Sequence, residues 1–168
     1  FMRFAYKEKF VSGEFERMSL GTKYPTIQLQ YAYGIPNLLN SDYEYHKVKL
    51  NVKDKIRIGA LGMMDAMIEG GKIWGALPFP LLQLHNGNET YAYDISAFNL
   101  MNYYEFVSDE YATVSLTHHF NGFFLNKIPI MNELKWREVV SVKAVTGKLN
   151  DKSYDYMSFP LTLSDLEK

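Results

Sequence analysis

Residues 46–58 alternate with a period of two. Lys47, Lys49, Asn51, Lys53, Lys55 and Arg57 fall on one side, and Val48, Leu50, Val52, Ile56 and Ile58 on the other, with Asp54 the single polar interruption of the apolar row. That period belongs to a strand and not a helix. At about 3.3 Å per residue the run covers roughly 40 Å, against the usual strand of about 5–6 residues, a length suited to a barrel wall. Residues 26–35 repeat the pattern, with Ile27, Leu29, Tyr31, Tyr33 and Ile35 opposite Gln28, Gln30, Ala32 and Gly34. Weaker alternation predicts a strand at 2–11, a polar connection at 12–24, and a glycine-rich strand at 64–76 entered through a tight connection at 59–62. Further strands are predicted at 107–122, where the polar side is hydroxylic, and at 136–147. A long connection near 79–106 is either functional or packed into something, and 97–106 has the composition of a short helix. The fold class expected is all-β: an antiparallel meander of about six strands, short turns alternating with long connections, in which 1–168 make one partial domain of a transmembrane β-barrel.

Composition narrows this picture. The 168 residues carry a net charge of -1, so the cationic row on 46–58 is a local arrangement and nucleic acid is not an expected partner. There is no Cys, which removes disulfides, thiolate metal sites and Cys nucleophiles. No apolar run reaches the roughly 18 residues of a membrane helix. A β-barrel remains open, because lumen residues dilute the lipid-facing ones and leave a mean hydropathy of only -0.22. The sequence starts at Phe1 without a signal peptide, so a piece of a longer protein is expected.

The candidate chemistry is sparse. His118, His119, His85, Glu89 and Asp109 contain the donors of a metal site, but adjacent strand residues point to opposite faces, so neither a metal nor another cofactor is expected. Ser108, Asp109 and His119 carry hydrolase residue types without a nucleophile elbow or an oxyanion hole, so catalysis is not expected. Glu69, Glu89, Glu105, Asp109 and Glu110 are read as counter-charges to the basic row Lys47, Lys49, Lys53, Lys55 and Arg57. That row could line an anion path or bind lipopolysaccharide phosphates, or be simply a solvated face or a wall neutralised by acidic residues. Tyr31, Tyr33, Trp74, Tyr103, Tyr104, Phe106 and Trp136 lie mostly near strand ends, where a barrel places its interfacial aromatic girdles.

Six segments in order resemble the barrel part of a Bacteroidota envelope family of unknown function. They are LNVKDKIRIGALG at 50–62, EGGKIWGALPFPLL at 69–82, HNGNETY at 85–91, FNLMNYYEFVSD at 98–109, HHFNG at 118–122 and LKWREVV at 134–140. In that family a carboxypeptidase-regulatory-like β-sandwich precedes an outer-membrane barrel, which is itself distantly similar to the BamA-like surface-antigen superfamily. That superfamily's V-R-G-Y type loop is missing here; the corresponding connection carries the family-motif loop His85, Asn86, Gly87, Asn88, Glu89 and Thr90. The resemblance implies a bacterial outer-membrane location, contact with outer-membrane lipids and with other envelope proteins in a complex, and a non-catalytic scaffold, channel-like or envelope-biogenesis role. It also sends the apolar row of 46–58 to lipid and the basic row Lys47, Lys49, Lys53, Lys55 and Arg57 to the lumen, so that Asp54 should meet a bulge, a protein contact or the membrane edge. The chief alternative is a soluble lipocalin-like barrel holding an apolar ligand, with the same row turned inward; an envelope hydrolase is a third reading.

Overall fold

The computed structural model describes residues 1–37, 42–88, 94, 96–102 and 105–154. Among the described residues there are ten strands: β1 (Met2–Ala5), β2 (Lys9–Ser12), β3 (Arg17–Gly21), β4 (Thr26–Gly34), β5 (Tyr45–Arg57), β6 (Met63–Trp74), β7 (Gln83–Leu84), β8 (Val107–Ser108), β9 (Glu110–His119) and β10 (Val139–Lys148). The described residues also form two short α-helices, α1 (Pro129–Glu133) and α2 (Asp151–Tyr154), and three single-turn 3-10 helices. The main sheet has six strands in the order β1-β4-β5-β6-β9-β10. Its strands follow one another in chain order, as a meander does, with the hairpin β2-β3 and the pair β7-β8 as two-stranded excursions. All-β is therefore the observed class. Among the described residues the sheet is open, with β1 and β10 at its edges, and no barrel is closed.

The strongest alternations gave the most accurate bounds, with β5 and β4 each within a residue of 46–58 and 26–35. Residues 2–11 are not one strand. The chain turns after Ala5, where Lys7 takes a left-handed φ of 49°, so that β1 pairs with β4 while β2 pairs with β3. The polar connection expected at 12–24 accordingly contains β3. The described part of 97–106 forms turns and a bridge from Phe98 to Gly87, not a helix. The β5-β6 connection is tight, as expected at 59–62, its Gly62 at φ 95° bringing Ile58 N–H onto Gly62 O at 2.9 Å. A Cβ at Gly62 would run into the His119 carbonyl, so glycine is needed there for both dihedral and space.

Two compact units divide the chain. Unit 1 is Phe1–Tyr31, Val48–Gly71 and Ala112–Thr146, and unit 2 is Ala32–Lys47, Lys72–Tyr111 and Gly147–Lys168. Among the described residues every buried hydrophobic side chain lies in unit 2: Ile73, Leu77, Leu82, Ala97 and Tyr111. There Ile73, Leu77 and Leu82 pack with Tyr43, Tyr45, Leu81, Val107 and Leu149. Unit 1, with the larger part of the sheet, buries none of its described apolar side chains.

Candidate functional site

Alternation along paired strands gives the sheet of unit 1 two chemically distinct faces. On the polar face Lys49 Nζ lies 2.9 Å from Glu69 Oε1, and Asn51 Nδ2 donates to Glu69 Oε2 at 2.9 Å. Farther along the same strands Lys55 Nζ stands 3.6 Å from Asp65 Oδ1, and His119 Nε2 3.5 Å from Asp65 Oδ2. Thr117 and Ser141 share a hydroxyl hydrogen bond of 3.2 Å between β9 and β10. Gln28 and Gln30 of β4 join Lys49, Asn51, Lys53 and Glu69 around a recess of about 270 Å³. A second recess, of about 420 Å³, lies among Thr22, Thr26, Lys53, Lys55, Asp65 and Ser115. Asn51, on this face, is only 6% exposed.

The reverse face carries Met2 and Phe4, held by register opposite Leu29 and Ile27. Next to them come Leu50 (44% exposed), Ile56, Ile68 (55%), Val140 and Val142 (60%). Hydrophobic side chains thus stand out while ion pairs and amides are drawn together on the opposite side, the inverse of a soluble sheet with a core. Asp54, the exception on this face, is partly buried, and its Oδ1 accepts the Lys55 backbone N–H at 2.8 Å. It sits near the end of β5, which closes at Arg57.

The basic row is divided by its neighbours. Lys49 and Lys55 have the carboxylates just named, and Lys47 is engaged as well. Lys53 and Arg57 are exposed, and Lys53 borders both recesses. Of the aromatic residues, Tyr31 and Tyr33 stand exposed late on β4 and Trp74 at the last position of β6. Phe106 is exposed just before β8. Trp136 is exposed too, but precedes β10 in a connection and is not part of the strand expected from 136. Tyr103 and Tyr104, with Glu89 and Thr90 of the family-motif loop, lie outside the described residues.

Within unit 2, His85 and Ser108 form a buried pair that the sequence did not single out, Nε2 to Oγ 3.1 Å. The His85 ring meets Tyr111 edge-on at a centroid distance of 5.4 Å. Gly147 of β10 leaves room for Ser108, since a Cβ at Gly147 would collide with its hydroxyl. Asp109 is buried beside it, its Oδ2 accepting Asn150 N–H at 2.9 Å while its backbone bonds Ile73 and Lys148. The connection after β6 is thereby tied to the sheet by polar contacts, and His85 is its buried anchor. His119 is not the partner of Ser108, which removes the geometry of the hydrolase grouping read from sequence; it faces Asp65. His118 donates instead to Leu61 O at 2.9 Å. Among the described residues no cluster of three or more His, Cys, Asp or Glu is arranged to hold a metal ion, and no helix is long and apolar enough to cross a membrane.

Residues 2–159 match the model of a family of unknown function, the DUF5686 C-terminal domain. No curated protein and no solved structure matches the chain.

Proposed function

The chain belongs to the DUF5686 C-terminal domain family, and from that premise we propose that it forms part of the wall of an outer-membrane β-barrel, with the apolar face of its sheet toward lipid and the charged face toward a water-filled lumen. The observation that carries this reading is the sheet of unit 1, whose described residues include no buried hydrophobic side chain and whose Leu50, Ile68 and Val142 are exposed. In a bilayer those residues are solvated by hydrocarbon, and the ladder of a closed barrel satisfies the backbone. Closure needs strands beyond the six in the main sheet, supplied by the longer protein or by a partner chain. The place of Asp54 near the end of β5 fits the membrane edge, where a carboxylate is less costly than at the midplane.

The finer reading is a Bacteroidota envelope barrel that follows a carboxypeptidase-regulatory-like β-sandwich, distantly similar to the BamA-like superfamily. Its role is non-catalytic: scaffold, channel-like or envelope-biogenesis. His85 and Ser108, hydrogen-bonded to each other, and Asp109, bonded to Asn150, fasten described parts of the connection after β6 within unit 2. A lipocalin-like cavity would require the row of Leu50 and Ile56 to point inward, and the exposure of both weighs against it.

The experiment is fractionation of the protein in the Gram-negative cell that makes it. Recovery in the outer-membrane fraction, extraction only by detergent and heat-modifiable migration in gels are expected. Recovery as a soluble monomer would overturn the reading.

A further inference from the structure

The connection 120–138 in unit 1 is held in a defined shape while showing large apolar side chains outward. Glu138 Oε1 accepts the backbone N–H groups of Phe124, at 2.9 Å, and of Leu125, and Phe120 N–H reaches Glu138 O at 3.1 Å. Arg137 donates to Asn126 Oδ1 at 3.0 Å and to the Trp136 carbonyl. Phe120 and Phe124 pack with their rings tilted, centroids 5.3 Å apart, and Phe123 meets Phe124 edge-on at 5.0 Å. Lys135, at a left-handed φ of 54°, turns the chain after α1. Ordering this segment costs conformational entropy, yet it leaves Ile130 69% and Trp136 55% exposed, with Phe124 and Leu134 also outward.

We propose that 120–138 is an interfacial anchor, seated in the headgroup–acyl boundary of a phospholipid bilayer. This rests on the barrel reading and deepens it by naming a segment and its partner. Two features select lipid over protein as the occupant. The apolar surface runs on along the chain into Val140 and Val142, which are exposed on one face of β10. The same short segment carries Lys127, Lys135 and Arg137 against Glu133 and Glu138, and the Glu138 carboxylate is turned inward onto backbone N–H groups. Aliphatic and Trp side chains flanked by Lys and Arg match a layer that is hydrocarbon on one side and phosphate on the other.

The chain has two Trp, Trp74 and Trp136, so the whole protein carrying Trp74→Phe reports on Trp136 within this domain. Any Trp elsewhere in the protein is replaced by Phe in the same variant. It is reconstituted in phosphatidylethanolamine–phosphatidylglycerol vesicles whose acyl chains are brominated either near the carbonyl or near the methyl end. The expected result is a loss of Trp136 emission that is greater with the shallow bromines, as for groups about 5–10 Å into the boundary, together with protection from aqueous iodide. Protein that inserts, shown by protease protection of its strands, while Trp136 stays open to iodide overturns the anchor and leaves the barrel standing. Trp136 shielded from both quenchers means a protein partner covers the segment, which also overturns it. Failure to insert at all removes the barrel reading and the anchor together.

Discussion

Glu8 shows how single side chains hold the fold where apolar packing is missing. It accepts both guanidinium donors of Arg3 at 2.7 Å and the Ser19 hydroxyl, tying the turn after β1 to β3. The Arg3 and Ser19 hydrogen bonds outweigh partial desolvation and hold its pKa at about 2, below the ordinary carboxylate value. With the folded value depressed, the contribution to stability is complete above the unfolded-state pKa of about 4.3 and is lost as pH falls through about 2. Side-chain carboxyl NMR should therefore place the Glu8 midpoint near 2 in the wild type and return it toward about 4.3 in Arg3→Met; an unmoved midpoint would mean that Arg3 is not its partner. Sequence gave no warning of this triad, because partners drawn from a turn and two strands have no spacing to recognise. The His85–Ser108 pair was hidden for the same reason. His119 looked the better partner for Ser108 only because it is closer along the chain, whereas the fold of 75–109 delivers His85.

At the level of strands, legibility followed the strength of alternation. β4 and β5 were readable because a one-residue slip would move every side chain to the wrong face, and their two faces survive in the structure as distinct chemical surfaces. The β2-β3 hairpin was not, because residues 9–21 mix Lys, Glu and Ser with Phe and Met and keep no single-period pattern; what separates β1 from β2 is one backbone dihedral at Lys7. Composition alone allows a short helix at 97–106, whereas the described residues there form turns and a bridge. Leu50, 44% exposed on the apolar face, makes the two environments separable. Leu50→Lys should destabilise the reconstituted protein by about 2–4 kcal/mol if that position lies near the bilayer midplane, and by no more than about 0.5 kcal/mol if it faces water. Equilibrium unfolding in lipid, with Lys53→Gln as the polar-face control, distinguishes them. A near-neutral Leu50→Lys would argue against lipid contact there.

For the molecule as a whole, the units differ in what stabilises them. Unit 2 has a small core around Ile73, Leu77 and Leu82, and its longest connection is secured by His85 and Asp109. Unit 1 has ion pairs and amides on one face, exposed aliphatics on the other, and no buried described hydrophobic side chain with which to offset the entropy of ordering its strands in water. On the proposed reading, its stability comes from the lipid that covers the apolar face. Nitroxide scanning of β5 in vesicles tests this most directly, with labels placed singly at 48–53 and collision rates measured with oxygen, which concentrates in hydrocarbon, and with a water-soluble nickel chelate. Oxygen accessibility should peak at the positions of Val48, Leu50 and Val52 and chelate accessibility at those of Lys49, Asn51 and Lys53, the two profiles alternating out of phase. Chelate maxima at the even positions, or two profiles that rise and fall together, would contradict a sheet that meets lipid on one side and water on the other.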